Sequence, residues 1–133
     1  MTADFKTYLE KTNFNRQLEL LNKKLKNKKV VLYGAGSLFQ YIKENYNLSK
    51  LNIIGISDKK FSKINANKIF FEYQIIPFEE LANCNADYIL VATQDYIEII
   101  EDFACNLFYK KKIKIKPLVK MSLLSLIKKI WSR

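Results

Sequence analysis

Histidine is absent from this 133-residue sequence, and glycine, proline, cysteine and tryptophan are scarce. Without imidazole there is no histidine-based acid–base catalysis, no Ser-His-Asp or Cys-His arrangement and no histidine metal ligand. The two cysteines, Cys84 and Cys105, lie 21 positions apart and give no zinc-ligand spacing. We expect both to be reduced thiols, Cys84 near a helix end and Cys105 on a core-facing helix stripe.

Long apolar runs are also missing, since no uninterrupted stretch reaches the roughly 18 residues that a membrane span needs. The stretch Met1–Lys11 is charged and lacks the apolar region of a signal peptide, so we expect a cytoplasmic protein. With 49% hydrophobic residues, the chain is typical of a globular protein. Its length predicts one domain with a single core.

The net charge of +10 is concentrated at the two ends of the chain. Residues 1–29 carry 8 basic and 3 acidic side chains, residues 30–111 carry 8 and 10, and residues 112–133 carry 7 and 0. Lysine supplies 21 of the 23 basic residues, which suits bidentate recognition of guanine or phosphate poorly. The charge pattern therefore argues against nucleic acid as a partner.

One stretch carries a functional signal, the apolar run Val30–Tyr33 followed by a Gly-x-Gly turn and a helical pattern. Gly34 permits a tight turn out of a strand, and Gly36 lets the backbone approach a diphosphate whose charge is met by N–H groups at the helix start. The dinucleotide fingerprint has a third glycine three residues after Gly36, where this sequence has Phe39. The phosphate-binding half of the motif is present and the packing half is altered. An ordinary strand-to-helix turn is the alternative.

The chain around this stretch alternates between strand and helix patterns. The predicted strands are Val30–Tyr33, Ile53–Ser57, a short extended segment within Phe70–Ile76, Tyr88–Ala92 and the Ile/Lys-alternating Lys110–Pro117. The predicted helices are Thr2–Lys11, a second one N-capped by Thr12 or Asn13, Ser37–Tyr46, Pro77–Leu81 and Gln94–Leu107. This order predicts an α/β fold, a Rossmann-like doubly wound parallel sheet of about five strands. Charged alternation predicts that Lys110–Pro117 is an edge strand.

Three regions follow from these patterns. We expect an N-terminal helical segment over 1–29, a Rossmann-like nucleotide-binding domain over 30–116 and a basic amphipathic helix over 117–133. An apolar stripe that includes Val119, Leu123 and Ile130, with Trp131 near the end, can pack on the sheet, form a homodimer or bind a partner enzyme. The same helix can also lie on an anionic membrane surface.

Four segments together resemble a known family: Val30–Gly36, Ile53–Asp58, Gln74–Leu81 and Ala86–Ala92. They are similar to the small Rossmann-like domain of bacterial polysaccharide-biosynthesis proteins, over about residues 28–116. They also resemble the N-terminal coenzyme-binding domain of nucleotide-sugar epimerases and dehydratases and the nucleotide-sugar-binding domain that precedes some sugar acyltransferases. The resemblance implies binding of a nucleotide sugar or NAD(P) in surface-polysaccharide or glycan assembly.

The resemblance also implies a set of cofactor-binding residues. They are Gly34, Ala35, Gly36 and Ser37 at the diphosphate turn and Asp58 after the second strand. Lys59 is a further candidate because of its charge, and Thr93 and Gln94 are candidates because they follow the central strand. Asp58 lies 24 residues after Gly34, near the spacing of roughly 20 at which an acidic side chain meets a ribose. Its alternative role is to form a turn. Lys59 is either a phosphate contact or a solvated loop lysine, and the last two residues border the topological switch point.

Catalytic patterns are not recognisable, and no metal ligand set is expected. Tyr46 and Lys50 match the Tyr-x-x-x-Lys spacing of short-chain reductases, but they fall at the end of the first helix of the sheet domain. A full dinucleotide site needs two mononucleotide halves, and this chain has room for little more than one. A mononucleotide-based ligand such as a nucleotide sugar therefore fits better than NAD, and CoA stays open as a ligand. Three functions remain open: a binding module, a subunit of a nucleotide-sugar-modifying enzyme or transferase, and a structural domain without ligand.

Overall fold

The structure is a computed structural model that describes residues 5–94, 96–106 and 113–120. Its helices are α1 (Phe5–Lys11), α2 (Phe14–Lys24), α3 (Ser37–Asn45) and α4 (Tyr96–Asn106), with short 3-10 helices at Lys63–Asn65 and Phe78–Asn83. Its strands are β1 (Lys29–Tyr33), β2 (Asn52–Ser57), β3 (Ile69–Phe70), β4 (Tyr73–Gln74), β5 (Tyr88–Val91) and β6 (Lys114–Pro117). Most bounds lie within one or two residues of the sequence prediction.

The main sheet is parallel and has the strand order β2-β1-β5-β6. Its two central strands are buried on both faces, and alternate residues of β1 enter different cores. Val30 and Leu32 join a core with residues of α1, α2 and α3, whereas Val31 and Tyr33 join a core with Leu81 and residues of α4. The doubly wound Rossmann-like fold is confirmed.

The prediction of about five parallel strands is wrong by one, because the segment around Phe70 forms a hairpin instead of a full strand. Phe71 and Glu72 both have positive φ, 48° and 71°, and reverse the chain between β3 and β4. Directly after β4, Ile75 forms an isolated parallel bridge with Ile56 of β2. Two consecutive left-handed residues form a tight two-residue turn that the sequence does not signal, since such turns usually contain glycine or asparagine.

The two N-terminal helices pack on the sheet through the apolar faces that their spacing predicts. Phe5, Leu9, Phe14 and Leu18 are all buried. Asn13 occupies the N-cap position of α2 but makes no side-chain capping bond, because it takes a left-handed conformation (φ 54°) that turns the chain between the helices. The predicted N-cap position at Asn13 is therefore correct, whereas the side-chain capping bond expected of it is not formed.

The C-terminal part of the described chain differs from the predicted helix over 117–133. Pro117 is the last residue of β6, and residues 118–120 are not helical. Leu118 and Val119 are nonetheless buried in the core beneath α2. The remainder of the predicted helix, residues 121–133, lies outside the described residues, as do residues 1–4, Leu107 and the side chain of Cys105. Within the described ranges, no helix is long and apolar enough to cross a membrane.

Candidate functional site

The turn from β1 into α3 requires glycine at its first position. Gly34 has φ +113°, a conformation that L-residues rarely adopt, and a Cβ added to it would lie 2.6 Å from Thr93 Cγ2 and 3.0 Å from the carbonyl oxygen of Ala92. The backbone at the end of β1 is thus pressed against the chain that leaves β5. This contact brings Thr93 to the glycine turn, as its predicted place in the crevice requires.

Gly36, unlike Gly34, has open space where a side chain would lie. It is the N-cap residue of α3 with φ −96° and ψ −158°, and it supplies no side-chain cap. A Cβ added here would meet no atom within 4 Å. The first N–H groups of a helix have no acceptor within the helix and carry the positive end of its dipole. The exposed residues Gly36 and Ser37 therefore present an uncrowded backbone at a site that favours an anion.

Asp58 lies at the carboxyl end of β2, and its carboxylate is fixed against the glycine turn. Oδ2 accepts a hydrogen bond of 2.7 Å from the Ala35 N–H, and Oδ1 accepts one of 3.1 Å from the Lys60 N–H. The Gly34 N–H adds a 2.9 Å bond to the carbonyl oxygen of Ser57. The sequence left open whether Asp58 binds a ligand or forms a turn. It does form a turn, and it also occupies one N–H of the expected phosphate loop.

Lys60 is the residue of this site that the sequence reasoning missed. Its Nζ donates a 3.0 Å hydrogen bond to the carbonyl oxygen of Ala35 and lies 5.6 Å and 5.5 Å from the ring centroids of Phe61 and Phe70. The sequence favoured Lys59; it and Lys60 are both exposed residues of this loop. The available signal was the Asx-type turn, in which an aspartate bonds the backbone N–H two residues later. That turn directs the second lysine toward the glycine turn.

Phe39, which stands in place of the third glycine, is fully buried. Its ring centroid lies 6.0, 5.8 and 6.3 Å from those of Phe70, Phe71 and Tyr73, so it packs against the β3–β4 hairpin. Aromatic contacts therefore replace the close helix–strand packing that the third glycine of the dinucleotide fingerprint allows. These contacts connect the helix behind the glycine turn to the hairpin beyond β2.

Three other residues that the sequence analysis named, Tyr46, Cys84 and Gln94, lie outside the glycine turn. Tyr46 packs edge-to-face on Phe14 with a centroid distance of 4.8 Å, and burial raises the pKa of its hydroxyl. Burial likewise raises the pKa of the half-buried Cys84 thiol. Gln94 is exposed beyond β5. Among the side chains that the structure describes, no group of three or more His, Cys, Asp or Glu could hold a metal ion.

The fold and the glycine turn define a Rossmann-like α/β domain with an accessible helix N-terminus at the carboxyl edge of its sheet. Residues 26–115 match the family described as C2185-like, N-terminal. The chain belongs to this family. No significant match was found among curated proteins.

Solved structures with a similar arrangement include three of RSP. A structure of RSP, described as a Rex-family repressor, has a TM-score of 0.45 at 16% identity and covers 90% of this chain and 64% of that one. A complex of RSP with β-NADH has a TM-score of 0.43 at 17% identity, covering 80% and 59%. A complex of RSP with β-NAD+ and operator DNA has a TM-score of 0.45 at 18% identity and covers 86% of this chain and 60% of that one. The chain spans about 60% of the length of these proteins.

Proposed function

We propose that this chain is a nucleotide-binding module whose ligand places its diphosphate on the turn Gly34–Ser37. The observation that carries the proposal is the contrast between the two glycines of the turn. Gly34 has no room for a side chain because of the protein's own packing, whereas Gly36 faces open space at the start of α3. A glycine that packing does not require, at the point where a phosphate would approach a helix N-terminus, is accounted for by a ligand.

Asp58 is the proposed ribose contact. Its two oxygens already accept one N–H each, from Ala35 and Lys60, and these bonds hold the carboxylate in one orientation. An ionised carboxylate offers about four lone-pair sites, so about two remain for hydroxyl groups of a sugar. Lys60, with Lys59 in the same loop, supplies positive charge on this side of the turn. Thr93 and Gln94 supply the opposite wall.

A nucleotide sugar is the proposed ligand class, ahead of NAD(P) and CoA. The described main sheet has four parallel strands, in the units β1–α3–β2 and β5–α4–β6, which is fewer than the six strands of the two mononucleotide halves of a full dinucleotide fold. The proposed setting is cytoplasmic, in bacterial surface-polysaccharide or glycan assembly. There the chain acts as a binding module or completes a nucleotide-sugar-modifying enzyme or a transferase with a partner chain through its terminal segments. The region divisions at 29/30 and 116/117 belong to the same proposal.

A second function, a structural domain without a ligand, is favoured by one specific observation. The Ala35 N–H, which a diphosphate would otherwise use, already donates to Asp58. On this alternative the acidic residue replaces the ligand as the partner of the turn. The two functions differ in whether any nucleotide stabilises the protein.

The test is a thermal-shift series with nucleoside diphosphates, nucleotide sugars, NAD(P) and CoA on the wild type, Gly36→Ala and the exposed control Ser49→Ala. Ligand at 100 times its dissociation constant adds about 2.7 kcal/mol to the free energy of unfolding, or roughly 10 °C in Tm for a chain of this size. We expect one ligand class to give this shift in the wild type and in Ser49→Ala and to lose it in Gly36→Ala. If no compound raises the Tm, the structural domain without a ligand is the function that remains.

A further inference from the structure

A cleft of about 300 Å³ lies between α2 and the end of β6, on the sheet edge away from β2. Its apolar floor includes Leu20 and Pro117, and its rim carries Lys24, Lys116 and Lys120. None of the described side chains that line it is acidic. The cleft does not include the glycine turn or Asp58, so its chemistry is separate from that of the proposed nucleotide site.

The cleft is held together by contacts between its two walls. Gln17 on α2 donates from Nε2 to the carbonyl oxygen of Lys120 at 3.1 Å and accepts the Lys120 N–H on Oε1 at 2.5 Å. Leu118 is fully buried between the walls. These contacts fix the backbone positions from which the lysine side chains extend. The cleft is therefore a feature of the folded core.

The lysines of the rim are crowded together. Lys24 and Lys116 line the same cleft, and the proximity of Lys24 lowers the pKa of Lys116, with smaller contributions from burial and from the charges of Lys114 and Lys120. Like charges held close together disfavour the charged form. A bound anion would remove this penalty, since it would interact favourably with every ammonium group at once.

We propose that this cleft binds a phosphate group whose ester carries an apolar body, with the phosphate on Lys24, Lys116 and Lys120 and the apolar body on Leu20 and Pro117. The apolar floor accounts for the second half of the ligand. Leu20 is 51% exposed and lines the cleft beside Pro117, so it leaves apolar surface for a ligand to cover. A soluble phosphate ester and a lipid phosphate share this chemistry.

The test uses phenyl phosphate and inorganic phosphate as soluble probes and phosphatidylcholine vesicles with and without phosphatidic acid. Calorimetric titration of the full chain is expected to show saturable binding of phenyl phosphate, tighter than that of inorganic phosphate. Lys116→Gln is expected to weaken it about tenfold, the effect of losing one charge-assisted hydrogen bond. The matched control is Lys114→Gln, which removes the same charge two residues away on the same strand and outside the cleft. It is expected to change the affinity less than about twofold.

Each remaining outcome decides the proposal. Gly36→Ala should leave phenyl phosphate binding intact, since binding that this variant abolishes belongs to the glycine turn and overturns the cleft assignment. Absence of saturable binding to both probes and vesicles, or equal losses in Lys114→Gln and Lys116→Gln, also overturns it. Cosedimentation with phosphatidic acid vesicles that only Lys116→Gln weakens assigns the ligand to a lipid. Phenyl phosphate binding without cosedimentation assigns it to a soluble ester. An unchanged or higher Tm in Lys116→Gln, which loses a repulsive contact, verifies that the variant is folded.

Discussion

Adding one methyl group to a glycine of the turn should destabilise the fold strongly at Gly34 and hardly at all at Gly36. In Gly34→Ala the new Cβ lies 2.6 Å from Thr93 Cγ2 and 3.0 Å from the Ala92 carbonyl oxygen, at a φ of +113°. The backbone conformation costs about 1–3 kcal/mol and the overpacking about 1–3 kcal/mol more. A total of roughly 2–6 kcal/mol is a large part of the 5–15 kcal/mol that stabilises a typical domain.

Gly36→Ala should leave the free energy of unfolding within about 0.5 kcal/mol of the wild type. The methyl group meets no atom within 4 Å, and the extended backbone at this position suits any residue. The lower entropy of the unfolded alanine chain favours folding, whereas alanine is a poorer N-cap than glycine, so the two effects oppose each other.

Urea denaturation followed by circular dichroism measures this contrast. With a slope of about 1–3 kcal/mol per molar urea, Gly34→Ala should lower the midpoint by roughly 1–3 M, while Gly36→Ala should leave it unchanged. Equal midpoints for the two variants would refute the reasoning, since they would mean that the turn does not press against the chain after β5. A large fall in the urea midpoint of Gly36→Ala alone would also refute the reasoning, and it would remove the main support for the ligand proposal.

Three further predictions concern the surroundings of the turn. Phe39→Ala should lower the free energy of unfolding by about 3–5 kcal/mol in urea denaturation, because its ring is fully buried. It should also reduce hydrogen-exchange protection in the hairpin, because the ring packs on Phe70. A loss below about 1 kcal/mol would contradict this packing. Glu72→Gly should raise Tm slightly, with a gain of up to about 1 kcal/mol, since φ is 71° and the ion pair it gives up with Lys43 is exposed; a lower Tm would show that this ion pair outweighs the backbone strain. Because burial raises its pKa, Cys84 should be alkylated by iodoacetamide more slowly than free cysteine near pH 8, with the difference narrowing as pH rises, as site-resolved mass spectrometry can check; an equal rate would contradict the burial.

The main sheet could be predicted from the sequence because its strands carry local signals. The run Tyr88–Ala92 is continuously apolar and forms a strand buried on both faces, and the Ile/Lys alternation before Pro117 forms the edge strand. Both patterns depend only on which faces are covered. The hairpin could not be predicted, because a phenylalanine and a glutamate occupy the left-handed positions of its turn. Their conformation is stabilised by tertiary contacts to α3, which sequence propensity does not record.

The candidate site was predictable in position and only partly in detail. The glycines and Asp58 were identified from their spacing, and the structure brings Asp58 and Thr93 to the turn. Their roles as ligand contacts stay predictions. The sequence favoured Lys59 over the adjacent Lys60, because it does not show the direction in which the turn after Asp58 leads the chain. The turn leads Lys60 to the Ala35 carbonyl oxygen.

The aromatic packing of Phe39 has a consequence for how proteins of this kind are found and compared. A search that requires three glycines after the first strand rejects this chain, although the turn itself keeps the two glycines nearest the phosphate position. Position 39 faces Phe70, about thirty residues later in the sequence, so the two positions should vary together across relatives. Chains with glycine at the first position should lack the aromatic ring at the second. Such paired substitution would distinguish a branch of the fold that replaced a close helix–strand contact with an aromatic one.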